Sequence, residues 1–181
     1  MSLFILGVLL VFVKTNLQVL DMGVFFYASN IVGYLLIFWG IRRLEEEVSG
    51  LQRLKPFVLL MVAHSIGFAV LNGSGHSIQT IPLSGGVASA VALGLALLAI
   101  AGMGMIFYIL HEVILLIRVA EETSFSDVGD LEKMPGLLVV LLAIICVLFF
   151  AAPFAASVLM LVLLIAELVF LLHFSARARM V

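Results

Sequence analysis

Charged residues are scarce in this chain. Of its 181 residues, 11% are Asp, Glu, Lys or Arg and 65% are hydrophobic. A soluble domain carries roughly a quarter charged residues to keep its surface hydrated, so this composition excludes a water-soluble fold. The apolar runs between the charges reach the length, about 18 residues or more, that crosses a bilayer core. The sequence therefore predicts an all-α, polytopic transmembrane helical bundle, a multi-pass protein of the cell membrane.

Other features are also missing. The single cysteine, Cys146, can form no disulfide within the chain. A net charge of −2 provides no basic stripe for nucleic acid, so no nucleic-acid partner is expected. The apolar N-terminus lacks a basic leader and a convincing cleavage site. We therefore interpret it as a retained first span, and not as a cleaved signal peptide.

Six membrane spans are predicted, at about residues 2–20, 23–41, 56–72, 86–117, 136–152 and 154–174. A single straight helix over 136–174 would be about 58 Å long, far more than a bilayer needs. A tight hairpin before Pro153 is the better prediction. Pro56 and Pro135 are likewise expected at helix starts, where the missing N–H breaks no hydrogen bond. The first span is the weakest, because Lys14, Asn16 and Gln18 interrupt it.

The basic residues set the predicted orientation. With six spans, every lysine and arginine except Lys14 falls in a segment at one membrane face: Arg42, Arg43, Arg53, Lys55, Arg118, Lys133, Arg177 and Arg179. Five spans would scatter these charges over both faces. Because positive charge marks the cytoplasmic side, both termini are predicted to be cytoplasmic.

Four ionisable residues lie inside the predicted spans, where such groups are costly and usually mark function. They are His64 in span three, His111 and Glu112 in span four, and Glu167 in span six. Counted from the cytoplasmic helix ends, all lie roughly 9–12 Å deep. Their depth predicts one polar cluster in the cytoplasmic half of the bilayer. Because Glu167 has only apolar neighbours on its own helix, it either carries a proton or meets a partner such as His64 or His111.

Structural roles are the alternative for these residues. His64 could serve as a hydrogen-bonding contact between helices, and Glu112, close to Arg118, as an acid at the membrane interface. Span four also carries a ladder of small residues that predicts close helix packing, namely Gly86, Ala90, Gly94 and Gly102.

A second polar face lies on span two. Tyr27, Asn30 and Tyr34 follow one another at i, i+3 and i+7, so they share one side of a helix. That side must point into the bundle, where its hydrogen bonds can be satisfied. It is predicted to form either a packing seam or the lining of a cavity.

The first third of the chain carries a resemblance. The run "LGVLLVFVKTNLQVL", the segment "IVGYLLIFWGIRRL" and the "LKPF" that opens span three resemble the start of small integral membrane proteins common in Firmicutes. That family has no assigned activity, so the resemblance implies a membrane topology and leaves the chemistry open.

These features favour a small transporter or an accessory membrane subunit, with no enzymatic activity and no cofactor or metal. The lipid bilayer is its expected partner, and a membrane protein partner or a homo-oligomer is left open. Six spans in about 180 residues, inward termini and short loops also resemble the substrate-binding subunits of energy-coupling-factor transporters. That resemblance implies vitamin binding and partner chains.

Two further hypotheses use the ionisable residues. In the weaker one, an intramembrane metal-dependent enzyme holds zinc through His64, His111 and Glu167 and uses Glu112 as its base. No motif fixes the spacing of these residues, and no nucleophile elbow accompanies them. In the other, protons cross the membrane along a pathway through Glu167 and the histidines.

Overall fold

The computed structural model describes residues 1–17, 24–75, 86–120 and 128–178. They are helical apart from short turns, and no strand occurs among them, which confirms the all-α prediction. The elements are α1 (Ser2–Leu17), α2 (Val24–Leu44), a short 3₁₀ helix (Leu51–Leu54), α3 (Lys55–Gly73), α4 (Gly86–Ala120), α5 (Val128–Ala151) and α6 (Pro153–Ala178). Residues 18–20 and 23 of the first two predicted spans, and Arg179, lie outside the described residues.

Five helical stretches are long and apolar enough to cross a membrane: Phe25–Leu44, Leu51–Gly73, Gly86–Ala120, Leu131–Phe149 and Pro153–Ala176. The apolar stretch Ser2–Asn16 is shorter. At about 1.5 Å per residue, the 16 residues of α1 extend about 24 Å, slightly less than a bilayer core. Large apolar side chains such as Phe154 and Leu172 cover the outside of the bundle. These properties fit a membrane protein.

The helices pack in chain order, and α6 returns to contact α1. Helix α1 therefore lies between α2 and α6, and it also touches α4. Phe4 of α1 meets Phe174 of α6 with ring centroids 6.1 Å apart, and Phe12 stacks on Phe107 of α4 at 5.7 Å. The contact between α3 and α4 is much sparser than that between α1 and α2, which leaves space near the middle of α3.

Glycines bring the backbones of α1 and α2 together. A Cβ atom added at Gly7 would lie 2.5 Å from the carbonyl oxygen of Gly33, and one at Gly40 would lie 2.7 Å from the backbone nitrogen of Phe4. Inside a bilayer no hydrophobic effect drives helices together, so close van der Waals contact of this kind matters more than in water. The α1–α2 pair depends on these three glycines.

The small-residue ladder predicted on α4 was largely wrong. Gly86 and Gly94 have no atom of the described residues within 4 Å of an added Cβ, and Ala90 is exposed. Only Gly102 makes a close contact, with the imidazole of His64. The prediction was wrong because small residues permit another helix to approach closely but do not determine which face of α4 that helix contacts.

Two proline predictions are confirmed. Pro56 lies in the first turn of α3, and Pro153 begins α6 directly after a break at Ala152. Helix α6 then packs against α5. The expected hairpin is therefore present, and its connection is a single non-helical residue.

The prediction for Pro135 was wrong, because α5 begins at Val128 and contains this proline in its interior. A proline there removes one backbone hydrogen bond. Two contacts are present on its N-terminal side: Leu131 is buried, and Glu132 forms an ion pair with Arg118 at the end of α4. The ion pair joins α4 to the turns of α5 that precede Pro135, which the sequence analysis left outside span five.

We expect Gly7→Ala to destabilise the protein by about 1–3 kcal/mol, because the new methyl group would overlap the backbone of α2. Gly67→Ala in α3 is the matched control, since nothing described lies within 4 Å of its added Cβ. Thermal unfolding in detergent should show a lower midpoint for the first variant and an equal or slightly higher one for the second. Equal midpoints for both would contradict the backbone contact.

Candidate functional site

Three consecutive polar residues near the end of α1 lie inside the bundle. The exposed fractions are 7% for Lys14, 3% for Thr15 and 2% for Asn16. Successive helical residues point about 100° apart, so together these residues face more than one neighbouring helix. The Thr15 hydroxyl donates to the carbonyl of Val11 at 2.9 Å, and the Asn16 amide donates to that of Phe12 at 2.9 Å.

The sequence analysis interpreted Lys14 and Asn16, together with Gln18, which lies outside the described residues, as interruptions of a weak span. The signal it missed was their position: a polar triplet in an otherwise apolar helix must find partners inside the bundle. Lys14 and Asn16 are thus site residues that the sequence contained and the predictions left out.

The buried carboxyl of Glu167 has its partner on α1. Glu167 is 0% exposed, and its Oε2 accepts a hydrogen bond from Nδ2 of Asn16 at 2.5 Å. Glu167 Oε1 and Asn16 Oδ1 have no partner among the described residues. The expectation of a partner on another helix holds, but neither His64 nor His111 provides it. This pair connects α6 to α1 across the interior.

The predicted cluster of four ionisable residues does not form. Glu112 pairs with Arg53 of the 3₁₀ helix at 2.6 Å, and that arginine side chain is 55% exposed. His64 bonds to α4, and Glu167 to α1. The four residues lie at a similar depth along their helices, but they do not lie on helix faces that point toward one another. Glu112 pairs with Arg53 and not with Arg118, and its interfacial role stays a prediction.

The ligand set required by the metal-enzyme hypothesis is not assembled. Within the ranges that the structure describes, no group of three or more His, Cys, Asp or Glu side chains is close enough to hold a metal ion. His64, His111 and Glu167 therefore do not form the three-ligand arrangement proposed for zinc.

A cavity of about 70 Å³ lies between α1, α2, α3 and α4. Its polar lining consists of Lys14, Thr15, Tyr27, Asn30, Tyr34 and His64, and apolar side chains complete it. All three residues of the second polar face are present. Both alternatives for that face describe part of it, because Asn30 and Tyr27 also contact Ser65 and Phe68 of α3. Of the predicted cluster, only His64 reaches this cavity.

Aromatic rings form one wall of the cavity. The Nζ atom of Lys14 lies 5.0 Å from the centroid of the Tyr27 ring, within cation–π distance. Tyr27 stacks on Phe68 with centroids 6.2 Å apart, and the His64 imidazole lies 4.7 Å from the same Phe68 ring. The wall thus holds a cation and an imidazole over a nearly continuous aromatic surface.

His64 is positioned by α4. Its Nε2 lies 3.1 Å from the carbonyl oxygen of Leu98. A carbonyl only accepts, so Nε2 carries the hydrogen and Nδ1 of the neutral imidazole is an acceptor. Gly102 makes room for the ring, because an added Cβ would lie 2.5 Å from the His64 Cε1 atom. The imidazole therefore has a defined orientation.

Two residues that line this cavity carry a buried acceptor atom with no partner among the described residues. Asn30 donates through Nδ2 to Ser65 Oγ at 2.8 Å, and Ser65 donates in turn to the carbonyl of Met61 at 2.8 Å. Asn30 Oδ1 and His64 Nδ1 are buried and have no partner among the described residues. Since buried polar atoms are nearly always hydrogen-bonded, the cavity is equipped to bind water or a small polar molecule.

A double-mutant cycle tests the Asn16–Glu167 pair. Asn16→Leu should destabilise the protein by about 1–3 kcal/mol, because it leaves a buried carboxyl with no donor. In the Asn16→Leu/Glu167→Leu double variant the loss should fall below the sum of the single losses by roughly 0.5–3 kcal/mol. Unfolding midpoints in detergent are measured for the wild type, the two single variants and the double variant. Strict additivity would show that the two side chains do not interact.

Comparisons with known proteins provide no family for this chain. No protein-family model, curated protein or solved structure matches it. The resemblance of its first third to small membrane proteins of Firmicutes therefore stays a prediction, and any proposal about function has to be argued from the cavity.

Proposed function

We propose that this chain is a small membrane transporter that binds a polar solute in the cavity between α1, α2, α3 and α4. One observation carries the proposal: two residues with buried acceptors that have no partner among the described residues line a cavity in a bundle with an apolar exterior. Polar groups inside a membrane bundle are costly and typically mark the path of a substrate. A purely structural core would be more stable with apolar residues there.

We further propose six spans with both termini in the cytoplasm. The ion pairs Lys55–Glu45, Arg53–Glu112 and Arg118–Glu132 all involve residues at the end of the bundle where the basic segments gather. In this orientation the end of α1 and the start of α2 lie in the outer half of the membrane. The cavity residues Lys14, Tyr27 and Asn30 then lie in that half too. The proposed site is therefore in the outer half of the membrane, whereas the sequence analysis predicted a polar cluster in the cytoplasmic half.

The same cavity would serve an accessory, solute-binding subunit of an energy-coupling-factor type. That alternative differs in needing partner chains. Purification from native membranes under mild conditions, followed by mass spectrometry, separates the two proposals. A solitary chain with transport activity supports the transporter, and stoichiometric partner chains support the subunit.

Filling the cavity tests the proposed function. Ala99 lines the cavity, whereas Ala101, on the same helix, is exposed. We expect the wild-type protein in proteoliposomes to take up at least one solute from a panel of small acids, amines, amides and alcohols. Ala99→Leu should reduce this uptake at least about tenfold, the effect of roughly 1.4 kcal/mol of lost binding. Ala101→Leu should leave it unchanged.

Two results would contradict the proposal. One is the absence of binding and uptake for every solute with well-folded wild-type protein. The other is equal activity of the Ala99→Leu and Ala101→Leu variants, which would place the site elsewhere.

Cysteine labelling tests the orientation. In a Cys146→Ser background, cysteines replace the exposed residues Ser2, Ser49 and Ser74 one at a time. A membrane-impermeant maleimide should label the Ser74→Cys variant in intact cells, and the other two only after permeabilisation. If Ser2→Cys and Ser49→Cys label from opposite sides, the short helix α1 does not cross the membrane and the six-span proposal fails.

A further inference from the structure

We propose that the ligand of this cavity is a small hydroxylated carboxylate, held by Lys14 at its carboxylate and by Asn30 or His64 at its hydroxyl group. The inference rests on the proposed function, because it names the class of solute for the same cavity. Three features of the cavity lead to it: a buried cation, two unused acceptors and a small volume.

The buried lysine, Lys14, favours an anionic ligand. Lys14 is 7% exposed, and its described contact is with the face of the Tyr27 ring. The ion pairs found among the described residues use other cations, namely Arg53, Lys55 and Arg118. The nearby acid on α6, Glu167, is bonded to Asn16. Buried charges in proteins are normally paired, so a negatively charged ligand in the cavity would supply the counter-charge that no described residue gives Lys14.

The two buried acceptor atoms favour a ligand that also carries a hydrogen-bond donor. Asn30 Oδ1 and His64 Nδ1 both accept, and both belong to residues that line the cavity. A simple carboxylate would satisfy Lys14 and leave these two atoms unpaired. A ligand with an additional hydroxyl group donates to one of them. Such a site rejects analogues without the hydroxyl group, because a buried acceptor then stays unsatisfied.

The volume limits the size of the ligand. The cavity measures about 70 Å³, and a single water molecule needs at least about 10–15 Å³ of such space. This space suits a ligand of about five non-hydrogen atoms or fewer. Glycolate, the shortest hydroxycarboxylate, meets the three requirements of charge, donor and size.

The experiment uses the full chain in nanodiscs and three matched probes. Glycolate carries the charge and the hydroxyl group, acetate lacks the hydroxyl group, and glycolamide lacks the charge. Titration calorimetry should show glycolate binding at least about tenfold more tightly than either analogue. Equal affinity for glycolate and glycolamide would overturn the role of Lys14, and equal affinity for glycolate and acetate would overturn the role of the acceptors.

Variants assign the cation. Lys14→Met should weaken glycolate binding at least about tenfold, Lys14→Arg should retain part of it, and Lys133→Met, which removes an exposed lysine, should change nothing. Monodisperse chromatography and retained helicity verify folding, and the wild-type probe series stands if Lys14→Met fails to fold. Binding that appears only in Asp21→Asn would overturn the proposal, because that acid, which lies outside the described residues, would then already neutralise Lys14.

The outcomes separate this inference from the proposed function. If another solute binds, and Ala99→Leu prevents its binding while glycolate has no effect, the transporter proposal stands and the hydroxycarboxylate inference fails. If no solute binds, both fail.

Discussion

The lipid environment offers polar side chains no water, and the arrangement of this bundle depends on that constraint. Helix α1 shows it best, because it carries Lys14, Thr15 and Asn16 in succession. No rotation of the helix hides all three from lipid unless other helices surround it. Contacts with α2, α4 and α6 do so, and α1 becomes the helix around which the described bundle closes. A helix that looks weak by composition is therefore central in the fold.

Two separate polar features follow from this position. Asn16 faces α6 and bonds to Glu167, whereas Lys14 faces the cavity lined by α2, α3 and α4. The Asn16–Glu167 hydrogen bond joins α1 to α6, and both side chains are buried. The second feature holds a cation, an oriented imidazole and unused acceptors around an open space. Close neighbours on one helix thus have different uses, one in holding the bundle together and the other at the proposed binding site.

Packing without a hydrophobic driving force explains the contrast between the two sides of the cavity. Where α1 meets α2, glycines allow backbone contact and leave no space. Where α3 meets α4, Gly102 admits only the His64 ring, and the helices stay further apart. The cavity lies between a tight helix pair and a loose one. Its existence depends on this unequal packing as much as on the polar residues that line it.

The sequence by itself determined the helical class, the approximate position of the helices, the hairpin at Pro153 and the inward direction of Tyr27, Asn30 and Tyr34. These features depend on hydropathy, proline geometry and helical periodicity, which are local properties of the chain. Tertiary structure decided that Glu167 meets Asn16, that Glu112 meets Arg53, and that α5 continues past Pro135 toward Val128. Each of these depends on which helix faces lie opposite one another. Depth along a helix can be counted from the sequence, but the rotation of one helix relative to another is set only when all the helices pack together.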